Sequence, residues 1–381
     1  MASLNKKDFI VLLPVLGLFL PLDLFALSMV VAIIGIIIQK KMLVRIFKTN
    51  HIFILLLFCL YMLVISLIKQ NYLSLATTFI LLVIIIYYGY LLQVMNKKYF
   101  HQIINILAFG GILSFILSFF NIGLGLFTYF SSGFNMTFAN DFNMGSKLQA
   151  TFINPNYYGY ICSCLILLFV YLKVYKYKIN KWLYLSLLVN VVALVMTKSF
   201  TSIISLVCAI ILLLCFKNFK IFIGSISLTL AGIVGIKWIY PYLNKVNSII
   251  SDMAGRLYIW NNGQQLIQQE GFIIGSGFFG YLHNFAKYGL FQQIHTHNLY
   301  IEALISLGLI GSIILVIYFV IFLNEQLKLY FQGKSTMGIL SLLLIVMTLI
   351  SGLFDVVIVS PHTFLLLFIL MSFTKVDYDE I

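Results

Sequence analysis

HIFILLLFCLYMLVISLI, residues 51–68, runs for 18 residues without an Asp, Glu, Lys or Arg. After a four-residue polar break it is followed by LSLATTFILLVIIIYYGYLLQ, residues 73–93, which is equally free of charge. The hydrocarbon core of a bilayer is crossed by roughly 20 apolar residues in an α-helix, and a helix satisfies every backbone hydrogen bond within itself where no water can do so. Two such runs joined by KQNY read as a helical hairpin through a membrane. The pair sets the fold class: all-α, polytopic, membrane-integral.

The rest of the chain extends that pattern. Its 381 residues are 62% hydrophobic and 9% charged, with a mean hydropathy of +1.06, whereas soluble domains are about 45–50% apolar. About twelve transmembrane helices are expected, near 8–22, 24–38, 51–68, 73–93, 101–120, 154–172, 182–197, 200–216, 220–239, 297–323, 335–354 and 359–374. They form a single transmembrane domain over 1–381. Lys6 and Lys7 before an apolar run mimic a signal peptide, but a second span follows at once, so the run reads as an uncleaved first helix. The five cysteines, Cys59, Cys162, Cys164, Cys208 and Cys215, sit inside apolar runs without metal-site spacing and read as packing residues. The net charge of +13 is scattered between spans and forms no concentrated basic face, so no nucleic-acid partner is expected.

Orientation follows from the excess of Lys and Arg in cytoplasmic loops. With the N-terminus inside, seventeen of the 24 basic residues fall on the cytoplasmic side, among them Lys40, Lys41, Arg45, Lys48, Lys97, Lys98, Lys173 and Lys217. Both termini are then cytoplasmic. Two outward loops, 121–153 and 240–296, exceed ordinary connectors. The second, between the ninth and tenth spans, leads into HTHNLYIEALISLGLIG, residues 295–311.

That stretch sets His295, His297, Asn298 and Glu302 at the mouth of an apolar helix. A helix starting near His297 brings Gly308 and Gly311 within about 40° of the histidine's face at 100° per residue, where small residues admit a close neighbour. Asn298 and Glu302, four apart, are placed to bond each other or the imidazole. Interfacial anchoring and ordinary glycine packing is the competing account. Arginine usage adds a second signal: beside 22 lysines there are only two arginines, Arg45 and, in the outward loop, Arg256 of SDMAGRLYIW. A guanidinium offers a planar fork that matches phosphate oxygens, although a solvated loop arginine is the plainer reading. GSGFFG, residues 275–280, has dinucleotide-motif spacing but follows no strand, so a turn-rich loop is expected. Asn154, before Pro155 in FINPNYYGY, caps the sixth span, with a role at the site as an addition. Lys198 sits in the short outward hairpin TKSFTS, and Asp355 in FDVVIVSPH sits at an outward turn.

NPN before a span, the T-x-S hairpin, GRxxxW and GxG in a large external loop, and His297-Asn298 followed after nine residues by Gly308-x-x-Gly311 together resemble the O-antigen ligase and Wzy-type polysaccharide polymerase family. The resemblance covers residues 150–325, including the loop 240–296. It implies a GT-C-like helical fold and a metal-independent, inverting glycosyltransferase on the outer face of the cytoplasmic membrane, with no cofactor. The implied donor is an undecaprenyl-pyrophosphate-linked oligosaccharide. Membrane lipid, a chain-length regulator and a flippase are the further expected partners. His297 takes the position of the family's essential histidine and Arg256 that of its loop arginine. Lys198, Asn298, Glu302, Asn154, His295, Lys245 and Asp355 are candidate substrate-binding residues, and no metal ligand is expected. Phe200 stands where the family commonly has arginine, which leaves the part of Lys198 open. Trp260, four after Arg256 where ligases often have leucine, leans toward a polymerase of capsule, O-antigen or exopolysaccharide.

In the implied chemistry His297 removes the acceptor hydroxyl's proton, since histidine as a residue type ionises near neutral pH. Arg256 neutralises the departing pyrophosphate, with Lys198 or Lys245 assisting. An O-antigen ligase transferring glycan to a lipid A core is the alternative. A flippase is a third reading, opposed by polar groups that gather outside the midplane where transporter sites lie.

Overall fold

The computed structural model describes residues 6–118, 147–152, 154–178, 180–217 and 246–376. Among the described residues there are fifteen α-helices and no strand. They are α1 Lys6–Gly17, α2 Leu22–Ile38, α3 Lys40–Phe47, α4 Asn50–Ile68, α5 Tyr72–Val94, α6 Lys97–Leu117, α7 Pro155–Val174 and α8 Lys181–Thr197. Then follow α9 Phe200–Lys217, α10 Val246–Glu270, α11 Gly280–Asn284, α12 Leu299–Ser306, α13 Gly308–Phe331, α14 Met337–Ser351 and α15 Pro361–Ser372. The chain is an all-α polytopic membrane protein.

The expected spans are of unequal length. Among the described residues six helices, α4, α5, α6, α7, α9 and α13, are long and apolar enough to cross a membrane, or seven if α2 and α3, bent 99° apart, form one span. The apolar helices α8 and α14 are shorter, as is the stretch Pro361–Lys375. The expected ninth span, 220–239, and most of the loop 121–153 lie outside the described residues. Two stretches expected as loops are helical: α3 between the second and third spans, and α10, 25 residues of the large outward loop.

Asparagine starts many of these helices. Asn71, Asn96, Asn154, Asn180 and Asn298 each accept a backbone N–H of the first helical turn. Such a cap is worth about 0.5–2 kcal/mol in general. Inside, tyrosines bury their rings and spend their hydroxyls on neighbours: Tyr87 donates to the Val11 carbonyl at 2.6 Å, Tyr318 to Tyr88 at 3.3 Å, and Tyr160 pairs with Thr348 at 2.5 Å. Leu57, Leu60, Val64, Val316 and Val320 stay exposed on the outer faces of α4 and α13, as lipid-facing residues should.

One expected span, 297–323, is broken in two. At Leu307–Gly308 the helix stops and restarts, with Gly308 at φ +66°. A break strands carbonyls on one side and amides on the other, and these need partners where water is scarce. The loop 272–277 supplies them. Ser276 and Gly277 donate their amides to the carbonyls of Ile305 and Ser306 at 2.8 and 2.9 Å, while the carbonyls of Phe272 and Ile273 accept from Leu309 and Ile310 at 2.7 and 3.1 Å. The backbones touch: a Cβ on Gly275 (φ +71°) would lie 2.5 Å from the Gly308 nitrogen, and one on Gly308 would lie 2.5 Å from the Gly275 nitrogen. Gly308 and Gly311 therefore do not sit beneath His297 on one continuous helix. Gly308 meets the GSGFFG loop, and Gly311 meets the Tyr61 ring of α4.

The same loop region is tied to the bundle by charge. Glu270, at the end of α10, bonds Lys69 (2.9 Å), Lys287 (2.6 Å) and Tyr288 (2.6 Å). Burial pushes its carboxyl up, but these partners prevail and hold it at about 2. Gly308→Ala combines a strained left-handed alanine with a backbone clash, each of a kind worth about 1–3 kcal/mol. The purified variant is expected to melt several degrees lower and to be cut by protease within 271–280. An unchanged melting temperature would mean that the two backbones are not in contact.

Candidate active site

The stretch 295–298 makes a tight turn before α12. Asn298 caps the helix, its Oδ1 accepting from Tyr300 and Ile301 N–H at 3.0 Å each, and its Nδ2 donates to the Leu353 carbonyl at 3.0 Å. Leu299 N–H donates to the Gly352 carbonyl at 2.7 Å. The turn is thus bolted to the segment after α14. Glu302 closes it from behind, accepting from Thr296 N–H at 2.9 Å and from the Ser306 hydroxyl at 2.7 Å. Neither Asn298 nor Glu302 holds the imidazole, contrary to the expectation; both shape the backbone that carries it.

His297 sits at φ +52°, a left-handed conformation that costs a non-glycine residue about 1–3 kcal/mol. Its amide is redirected by that turn and donates to His295 Nδ1 at 3.2 Å. Accepting there obliges the neutral His295 ring to carry its proton on Nε2, which faces the Tyr157 hydroxyl at 3.4 Å and Asp355 Oδ1 at 3.9 Å. Burial, then His297 and Arg256, lower the His295 pKa to about 4 against the opposing pull of Asp355, so this ring is neutral at neutral pH. His297 Nδ1 lies 3.2 Å from Asp355 Oδ1. With Nδ1–H donated to the carboxylate, Nε2 keeps its lone pair.

Asp355 is the hub. It is fully buried, and its Oδ1 also accepts from Val356 N–H at 2.8 Å while Oδ2 accepts from Asn156 Nδ2. Burial pushes its carboxyl up, but the His297 bond, the two imidazoles and the Val356 amide outweigh that and hold it below the usual carboxylate range. Arg256, on α10, donates through Nη1 to the carbonyl of the adjoining Phe354, leaving most of its five N–H groups for other partners. Trp260, one turn along α10, lies with its ring 6.5 Å from that of Phe354. Of the three clustered groups, His295 is 4% exposed, Asp355 0% and His297 25%, so His297 is the one that reaches the open side.

His295, His297 and Asp355 also present ligand atoms within 4.8 Å of one another. Two imidazoles and a carboxylate suit zinc. A ligating histidine, however, donates its second N–H outward, whereas His295 Nδ1 accepts and its Nε2 carries the proton. The donor pattern fits a hydrogen-bonded network better than a metal centre.

Asn154 Oδ1 is committed to its cap, accepting from Asn156 N–H at 2.8 Å. The asparagine of NPN that reaches the cluster is Asn156, not Asn154, and Tyr157 joins it. Pro155 at the first helical position was the available signal, because it fixes Asn154 as the cap and puts Asn156 next on the helix. His295 is buried as a strut behind His297, not lining the open side. Lys198 stands at φ +54° in the α8–α9 turn, beside Ser199, whose Cβ would press on any side chain at Gly159 of α7. Lys245 lies outside the described residues.

An apolar cavity of about 110 Å³ adjoins this cluster, between α4, α5, α12 and the segment 356–364. Phe58, Leu81, Phe278 and Phe364 line it together with Leu299 and Val356, the residues that directly follow Asn298 and Asp355.

Residues 183–316 match the family model described as O-antigen ligase. The matched stretch carries Arg256, His295, His297, Asn298 and Glu302, and it bears out the resemblance read from the motifs. It supports a membrane glycosyltransferase-like enzyme of polysaccharide ligase or polymerase type. No curated protein matches the chain. Asn156 and Asp355, which complete the family stretch's polar cluster, lie on either side of the matched residues.

His295 sets a pH dependence. Its folded pKa near 4 lies below the unfolded value near 6.5, so between these values the unfolded chain binds more protons and stability falls as pH falls. Thermal melts in detergent are expected to drop across pH 6.5 to 4. His295→Asn, which keeps an acceptor for the His297 amide but does not titrate, is expected to make that slope shallower, and an equally steep slope in the variant would assign it elsewhere.

Proposed function

We propose that the chain is a polysaccharide polymerase that transfers an undecaprenyl-pyrophosphate-linked glycan onto a sugar hydroxyl of a second lipid-linked repeat unit. The observation that carries this reading is the convergence of His297, Asp355 and Arg256 on the turn 354–355. His297 Nε2 takes the proton of the acceptor hydroxyl as its oxygen attacks the anomeric carbon from the face opposite the leaving group. The anomeric C–O bond breaks, the pair leaves with the lipid pyrophosphate, and configuration inverts. Asp355 stabilises the imidazolium that forms, by the logic that orients histidine bases in hydrolases. Arg256, with its fork largely uncommitted, neutralises the pyrophosphate. The apolar cavity beside Leu299 and Val356 has the chemistry to take part of a polyprenyl chain. The reading places the reaction at the outer face of the cytoplasmic membrane, with both termini inside and with a flippase and a chain-length regulator as partners.

A ligase reading uses the same geometry with a lipid A core as acceptor. Trp260 in place of the leucine common in ligases favours the polymerase.

General-base catalysis is worth roughly 10²- to 10⁴-fold, so His297→Ala is expected to lower polymer formation by that factor while the protein stays in the membrane. Near-normal polymer from this variant would remove the proposed base. Arg256→Lys is expected to lose activity nearly as fully, because lysine keeps the charge without the fork. Asp355→Asn, with the buried carboxylate gone, is expected to lower turnover by about 10²-fold or more with a smaller change in KM. Gel analysis of the products separates the two readings: a size ladder indicates a polymerase, and one transferred product indicates a ligase.

A further inference from the structure

We infer that α3 is a docking surface for anionic lipid headgroups at the membrane–water boundary. The inference is independent of the glycosyl-transfer reading. α2 stops at Ile38, and after Gln39 the chain turns through 99° into α3. If α2 crosses the membrane, α3 lies close to the membrane plane. Its sequence KKMLVRIF, followed by Lys48, carries Lys40, Lys41, Arg45 and Lys48 and no acidic residue. At 100° per residue these four cations occupy an arc of about 140°. Met42, Leu43 and Ile46 lie on the opposite arc and pack on the bundle core.

The packing holds the helix in that roll. Ile46 is fully buried, and it sits against α5 where Gly89 leaves room: a Cβ there would lie 2.6 Å from Ile46 Cγ2. At the far end Thr49 donates to the Arg45 carbonyl at 3.2 Å and accepts from Gln93 of α5 at 3.1 Å. The cationic arc therefore faces away from the protein. All four cations are exposed, and among the described residues no carboxylate forms an ion pair with any of them.

The neighbours of the cations decide what covers them. Ile37 and Ile38 at the α2–α3 corner and Phe47 at the edge of the cationic arc are exposed and wholly apolar, and Val44 is exposed within the arc. Such an edge belongs against acyl chains, which sets the cations at headgroup depth. A soluble polyanion or an acidic protein satisfies the charges and leaves the apolar edge in water. A phosphodiester lipid satisfies both, as in membrane-bound amphipathic helices and polybasic segments.

The test reconstitutes the full chain in bilayers of phosphatidylcholine alone or mixed equally with phosphatidylglycerol. Two measurements follow: the lipids retained by the protein in native mass spectrometry, and amide exchange over residues 39–49. Phosphatidylglycerol is expected to be retained in preference to phosphatidylcholine, and the α3 amides to exchange more slowly in the mixed bilayer. Lys40→Gln, Lys41→Gln, Arg45→Gln and Lys48→Gln combined are expected to lower that retention by at least about tenfold and to abolish the protection. A control that loses the same charge at Lys173, Lys176, Lys178 and Lys217 is expected to keep both. Equal retention of the two lipids by the wild-type chain overturns the proposal without any variant. Equal loss in the control overturns it too, as does full protection of α3 by inorganic phosphate in phosphatidylcholine alone.

Discussion

A buried carboxylate must be compensated or it does not stay charged, and Asp355 is compensated from three directions. The His297 imidazole reaches it from the turn before α12, Asn156 reaches it from the start of α7, and the Val356 amide from its own chain. One residue earlier, the Phe354 carbonyl takes the Arg256 guanidinium from α10. Four elements far apart in sequence are joined through two consecutive residues. Removing a partner there leaves charge in a place with little water, so the geometry of the cluster and the integrity of this end of the bundle depend on the same bonds.

A second constraint is the pairing of backbone groups near the membrane. A helix broken at Gly308 exposes carbonyls and amides that a continuous helix would hide, and the GSGFFG loop exists in its observed form because it pairs them. This joins two motifs that read as separate in the sequence. The spacing from His297 to Gly308 and Gly311 looks like one helical face, whereas it records a turn, a short helix and a break. The left-handed His297 belongs to the same economy: its amide leaves the helical direction and lands on the neutral His295 ring.

The family match and the cluster divide unevenly. The matched residues, 183–316, supply the imidazoles and the guanidinium, while the groups that orient the imidazole, Asp355 and Asn156, come from the flanks. In the proposed reaction the base and the clamp are thus carried by the family stretch, and their alignment by the bundle around it. The α3 corner lies apart from all of this, packed against α5 and turned outward.

Much of this protein was legible from residues alone, because a bilayer permits few solutions. Uninterrupted apolar runs dictate helices, asparagines before them dictate caps, and scarce polar groups near the ends of spans draw attention; His297 and Asp355 stand out for that reason, and Arg256 as the one arginine of the outward loop. Pairing was not legible. Only the tertiary structure decided that Asp355 and not Asn298 or Glu302 holds the imidazole, that Asn156 and not Asn154 reaches the cluster, that α10 is a helix, and that His295 is a strut. The physical reason is that a local sequence fixes which groups need partners, whereas the partners here lie 58 residues away for His297 and Asp355, 199 for Asn156 and Asp355, and 98 for Arg256 and Phe354. Distances of that kind are set by how helices stack, not by the spacing of residues along any one of them.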